Sequence, residues 1–254
     1  EQYEEAAAAA QRGLALDPNN LICLMTLSEA NYEFGEREQG MRYLQAAVAA
    51  NPTNRDARGK LILQLLMDGK VDEVDQVLTS GPLSEDEQHD LLLDLGEELN
   101  DMGLPEVALP AYERAAMRFP DSYFVLNGLG TTLQYVERDE EALQVFDRAI
   151  TLDATLPHAW LGRGLALYDL ERNLDGLHAL NRSLELIDAD RDPQNISEYN
   201  LLRAEAYYGQ ALIHYEMGRE QEAIGLMETV LSLNPEHPEA ADVLAEWQSG
   251  GDFL

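Results

Sequence analysis

The sequence predicts an all-α fold, an α-solenoid of about six helix-turn-helix repeats with a C-terminal capping helix. Three observations predict it. Pro18, Pro52 and Pro120 are separated by one and then two steps of a common period, each ending a helical run, as in Leu16-Asp17-Pro18-Asn19-Asn20 and Ala50-Asn51-Pro52-Thr53-Asn54. Proline cannot continue a helix, so this period of 34 marks a recurring stop. Small residues then recur at fixed offsets before the stop: Ala6, Gly40, Ala108, Ala142, Gly176 and Ala223 at one, and Gly13, Ala47, Ala115, Ala149 and Ser183 at another. A larger residue sits between them, as Leu44, Tyr112, Phe146, Leu180 and Met227, so the three offsets form one helical stripe. Finally, the first half of each unit has its own helical stripe, seen in Leu92, Leu95, Gly96 and Leu99 and in Leu126, Leu129, Gly130 and Leu133.

The elements follow in order. Residues 1–20 form a half repeat, a second helix without its partner, so the sequence is expected to be a fragment of a longer chain. Repeats lie near 21–54, 55–88, 89–122, 123–156, 157–190 and 204–237, and 238–248 form a capping helix whose Leu244 and Trp247 cover the last hairpin. Gly35, Gly69, Gly103 and Gly218 stand where the chain reverses between antiparallel helices. In the second repeat, Thr79-Ser80-Gly81-Pro82 cuts the second helix short, and a local irregularity is expected. The step from the turn position at Asp188 to the next, at Pro235, is longer than the period by about 13, an insertion in the sixth unit. That insertion is expected to end in an early helix start, capped by Asp192 or Ser197, which lengthens the sixth unit's first helix.

The segment Trp160-Leu161-Gly162-Arg163-Gly164-Leu165-Ala166-Leu167-Tyr168 resembles the first helix of a tetratricopeptide repeat, and Ala142, Phe146 and Ala149 are similar to its second. The resemblance covers nearly the whole chain and implies a right-handed superhelical stack. It also implies a concave surface lined by a second stripe on each first helix, about 100° of helix rotation from the packing stripe. Carried over position by position, it names Ile22, Met25, Glu29 and Tyr32, then Leu63 and Leu66, then Leu93, Glu97 and Asn100. The later units contribute Phe124, Asn127, Thr131 and Gln134, then His158, Leu161, Leu165 and Tyr168, then Tyr208, Leu212 and Tyr215. The function implied is a protein-protein interaction scaffold that holds a peptide or protein segment in the groove. No Lys or Arg occupies these positions, which disfavours the carboxylate clamp of some family members. Aromatic and aliphatic anchors with Glu29 and Glu97 suit an apolar or basic segment, and Asn127 and Gln134 can bond its backbone. The alternatives are a structural spacer or self-association module, and a regulatory domain of a larger enzyme. For part of the stripe the competing role is packing against neighbouring repeats.

Bulk composition agrees. The 254 residues are 45% hydrophobic, enough apolar material for a continuous core. Acidic residues number 48 against 17 basic, a net charge of −31, and Lys60 and Lys70 are the only lysines. A field of this sign repels polyanions and anionic lipid, so nucleic acid and direct membrane binding are not expected and basic partners are favoured. The same balance suits a protein working in high salt. No run approaches the roughly 18 apolar residues of a membrane span, and the start lacks the pattern of a signal peptide. With one cysteine, Cys23, no internal disulfide is available; the cytoplasm is the favoured compartment and the periplasm the alternative.

No enzymatic motif stands out, and no cofactor or metal is expected. His89, His158, His178, His214 and His237 lack the two-histidine helical spacing of a zinc site. Asp188-Ala189-Asp190-Arg191-Asp192 begins like a calcium loop, but Pro193 replaces the required glycine and Tyr199 the twelfth-position glutamate. The Asn195-Ile196-Ser197 sequon implies an exposed loop. The glycines recur at packing and turn positions, and Cys23 lies on an apolar helix with no nucleophile context.

Overall fold

A computed structural model describes residues 2–190 and 193–249. Among them the chain forms fourteen α-helices and one 3-10 turn, with no strand. It packs as two compact units, Glu1–Ala115 and Ala116–Leu254, the boundary falling inside one helix. The first unit holds α1 (Gln2–Leu16), then hairpins of α2 (Leu21–Glu33) with α3 (Arg37–Ala50) and of α4 (Arg55–Met67) with α5 (Val71–Thr79). A third hairpin there joins α6 (Glu85–Asp101) to α7 (Pro105–Arg118), the helix that contains the boundary. The second unit pairs α8 (Tyr123–Tyr135) with α9 (Asp139–Leu152) and α10 (Pro157–Asp169) with α11 (Asn173–Ala189). The 3-10 turn Pro193–Asn195 then leads into α12 (Ile196–Glu216), which pairs with α13 (Glu220–Leu233), and α14 (Ala240–Ser249) follows. None of the described helices is long and apolar enough to cross a membrane.

The turns between paired helices repeat a single solution. One residue adopts a left-handed conformation: Gly35, Gly69, Gly103 and Gly218, and also Glu137 at φ 58° and Glu171 at φ 57°. The next amide then reaches back over the helix end, as in Glu36 N to Asn31 O at 2.8 Å and Arg138 N to Leu133 O at 2.9 Å. This Schellman closure satisfies carbonyls that the helix leaves open. Several first helices also start alike. Asn20, Asn54, Ser84 and Ser122 accept from the amides of Cys23, Ala57, Glu87 and Val125, and Ser84 with Glu87 completes a capping box. That box starts α6 at Glu85, a turn before the unit start near His89.

Packing explains the small residues. Gly96, Gly130 and Gly164 occupy one position in successive repeats, and a Cβ at each would stand 2.5 to 2.7 Å from Tyr112, Phe146 and Leu180 respectively. Those three large side chains likewise share one repeat position and are 1%, 0% and 0% exposed, so each hairpin is locked by a bulky residue seated on a glycine.

Two irregularities have physical causes. The short helix α5 ends at Thr79, and Gly81 just beyond it lies against the guanidinium of Arg58, which is fully buried. Arg58 donates to the carbonyls of Pro52, at 2.6 Å, and Val77, so an arginine braces the place where the helix stops. In the insertion, α12 is indeed long, at 21 residues, but Ser197 is not its cap. The N-cap is Asn195, whose side chain donates to Asp190 Oδ2 at 2.9 Å. The 3-10 turn runs straight into α12, so the helix has no separate capped start. Asp192, the other expected cap, lies outside the described residues.

Candidate functional site

In the second unit the first helices of three hairpins line one concavity of about 680 Å³. Helix α8 contributes Asn127, Thr131, Gln134 and Tyr135; α10 contributes His158, Leu161, Leu165, Tyr168 and Asp169. Helix α12 adds Leu202, Glu205, Tyr208 and Leu212, and His237, Pro238 and Glu239 close it from the lead-in to α14. The side chains converge because the concave-facing stripe recurs at the same repeat positions on α8 and α10, and the long α12 brings the next stripe alongside. The floor is apolar: Leu161, 7% exposed, and Leu165 pack with Leu202 over Leu180, Ala206 and Ile213. The α8 wall is polar, and Asn127 Oδ1 is buried without a hydrogen-bond partner among the described residues. An unsatisfied buried acceptor costs about 1–3 kcal/mol, which a guest N–H would recover.

The site is negatively biased, since Asp169, Glu205 and Glu239 line it and no lysine or arginine among the described residues does. His158 Nε2 sits 2.9 Å from Glu198 Oε1, near the start of α10. Near its end, burial first and then the charge of Glu216 push the Tyr168 phenol up to about 12. Burial, then the nearby Asp139, raises Asp169 to about 6, against a hydrogen bond from Gln134 that lowers it. A carboxyl raised on folding contributes stability that is present below its unfolded value and is lost as pH rises through its folded value. Asp169→Asn, neutral at every pH, should therefore melt higher than the parent at pH 8. Its advantage should shrink as pH falls from about 6 towards about 4, which parallel thermal melts would check.

The remaining predicted residues are placed elsewhere. Met25, Glu29, Tyr32, Leu63, Leu93 and Glu97 belong to the first unit. Glu29 accepts from Lys60 Nζ at 2.6 Å, so a cation adjoins this part of the stripe although none occupies its positions. Tyr32 lies over Gly40, at 3.0 Å from where its Cβ would be, and burial raises its phenol pKa. Burial, then Asp94 and Asp101, pushes the Glu97 carboxyl up. Tyr215 is engaged by the capping helix: its ring stacks on Trp247 at 4.2 Å and 5°. Asp169, Glu205, His237 and Glu239 also line the second-unit concavity and add its carboxylates, though the stripe positions do not name them. A concavity of about 430 Å³ in the first unit lies between α3, α4 and α5, with Arg58, Glu73 and Gln76 on its wall.

Of the calcium-like segment, Asp188 Oδ1 accepts from Arg203 at 2.8 Å and Asp190 from Asn195, while Arg191 and Asp192 lie outside the described residues. No group of three His, Cys, Asp or Glu that could hold a metal ion occurs among the described residues.

Helical hairpins that share one turn geometry, and in three of them a glycine-seated packing lock, define an α-solenoid repeat protein. Family models described as tetratricopeptide repeat match residues 93–157 and 204–237. The chain carries tetratricopeptide repeats over those two segments. Among solved structures it is similar to a chain of the APC/C hetero-tetramer Cut9-Hcn1, at 17% identity and TM-score 0.53, over 96% of this chain and 46% of that one. It is also similar to the C-terminal part of a TPR repeat-containing protein from Cytophaga hutchinsonii, at 15% identity and TM-score 0.51, over 96% and 95% of the two chains. At these identities the likeness is one of fold. The chain spans less than half the length of the matched Cut9-Hcn1 chain.

Proposed function

We propose that the protein is an interaction scaffold that captures a peptide or protein segment in the concavity of its second unit. The observation that carries this reading is the convergence of stripes from α8, α10 and α12 on one site of about 680 Å³, with an apolar floor and an amide wall. Apolar anchors supply binding energy, and Asn127 and Gln134 meet the backbone of an extended guest. Assembly of a larger complex is the role that fits such a site. For comparison, one structurally similar chain comes from a hetero-tetramer.

The test is affinity capture with the intact protein. Leu165→Glu places a charge on the apolar floor, Tyr168→Ala removes an anchor, and Thr131→Trp fills the site from the α8 wall. All three should lower the yield of captured partner at least about tenfold, a loss of about 1.4 kcal/mol. Thr131→Trp should do so with an unchanged melting temperature, because Thr131 is only half-buried. Unaltered capture by all three variants would refute the assignment.

A further inference from the structure

The carboxylates of the second unit fall into two groups. Some that make side-chain contacts face arginine, as in Arg138 with Glu141, Arg163 with Asp147 and Arg203 with Asp188, at 2.7 to 2.8 Å, and others face uncharged groups or histidine. Glu205 and Glu239 belong to the second group. The Tyr208 hydroxyl donates to Glu239 Oε2 at 2.5 Å, and His237 Nε2 lies 3.3 Å from Glu205 Oε1. Meanwhile His237 Nδ1 accepts from the amides of Glu239 and Ala240, at 3.3 and 3.2 Å. An imidazole that accepts at Nδ1 carries its proton at Nε2 and is neutral. The groups packed against His237 are thus the carboxylate of Glu205, the ring of Tyr208, whose centroid is 4.6 Å away, and the first amides of the α14 lead-in. Glu239 therefore accepts from a neutral hydroxyl, and Glu205 stands beside an imidazole nitrogen that does not hydrogen-bond it, both at the edge of an apolar floor in a chain of net charge −31.

We propose that the captured segment presents a lysine or arginine side chain to Glu205 and Glu239, with aliphatic residues beside it on the Leu161–Leu165 floor. This rests on the groove reading above and adds the chemistry of the occupant. The long stem of a basic side chain lies along apolar surface while its head group stays at the polar edge. At that edge the cation meets two carboxylates, Glu239 held by the Tyr208 hydroxyl and Glu205 beside it. An acidic segment meets the same carboxylates as repulsion, which gives selectivity as well as affinity.

The experiment uses the whole protein and a display library of short random peptides. The parent should enrich peptides that combine Lys or Arg with aliphatic residues. Replacing the basic residue of a selected peptide with Gln should weaken binding by about tenfold or more, an effect that added NaCl reduces. The double variant E205Q/E239Q keeps an acceptor for Tyr208, and circular dichroism should show it folded. It should bind the basic and the Gln peptides equally. Peptides that are lost with Thr131→Trp but carry no basic preference, or whose preference survives in E205Q/E239Q, would overturn the cationic occupant and leave the groove reading standing. Peptides that bind Thr131→Trp as well as the parent, or a library with no enriched peptide, would overturn both. A Leu174→Ser control, at an exposed leucine outside the concavity, should bind like the parent.

Discussion

Phe146→Ala should destabilise the second unit by about 3–5 kcal/mol in urea or guanidinium titrations, the range for removing a fully buried aromatic ring. The ring is 0% exposed and is inserted between two helices. On α8, a Cβ at Gly130 would stand 2.6 Å from Cε1; on α10, a Cβ at Gly162 would overlap Cζ and Cε1 and lie 2.8 Å from Cε2. The ring thus fills the space that two glycines leave, one from its own hairpin and one from the next. This arrangement predicts a reversal of sign. Gly162→Ala in the parent forces a methyl into the ring and should cost about 1–3 kcal/mol, despite the better helix propensity of alanine. In the Phe146→Ala background the same methyl enters empty space and should be neutral or stabilising by up to about 1 kcal/mol. A double-mutant cycle reads this directly. Additive losses would mean that the ring and Gly162 do not share the space.

Much of this architecture was legible in the residues, because helical repeats write their packing at fixed spacing. The stop prolines, the turn glycines and the small-large-small stripe each report one steric requirement, and each recurs in step with the repeat. The stripe on α8 and α10 was legible for the same reason, and Asn127, Thr131, Gln134, Leu161, Leu165 and Tyr168 meet in one concavity. What was not legible depends on partners that no period relates. Glu205 and Glu239 gain their significance from His237 and Tyr208, across an insertion and a chain end where the repeat is broken. Tyr215 occupies the same repeat position as the other anchors, but α14 follows α13 and Trp247 stacks on that ring. Arg58 is the plainest case. Arginine is rarely fully buried, and a lone arginine in a helix reads as a surface residue until the broken helix beside it is seen.

Arg58→Ala should therefore cost the first unit about 3 kcal/mol or more, although no carboxylate pairs with Arg58 among the described residues. The side chain is 0% exposed, its Nε lacks a partner among the described residues, and burial lowers its pKa, all signs that the site is expensive for a cation. It is retained for its donors. Helix α5 stops at Thr79 and is shorter than α3, its counterpart in the preceding hairpin, and the chain turns away through Gly81 and Pro82. The carbonyls of Pro52 and Val77 lie at this break, and the guanidinium reaches both at once from α4, with Ser80 Oγ a second donor to Val77 O at 3.1 Å. Three substitutions separate the contributions. Arg58→Met keeps much of the volume and removes the donors, so its loss, about 1.5–3 kcal/mol for a hydrogen bond from a charged donor, measures the hydrogen bonds. Arg58→Lys keeps the charge but offers a point donor in place of a planar fork, and should recover only part of the difference. Gly81→Ala leaves all the donors but sets a Cβ against Nη2 and 2.8 Å from Cζ, with the Pro52 carbonyl 3.0 Å away, so the guanidinium must move off its carbonyls. Its cost should nearly vanish in the Arg58→Ala background, where the space is empty. If Arg58→Met is as stable as the parent, the arginine is only a filler, and the helix break stands without it.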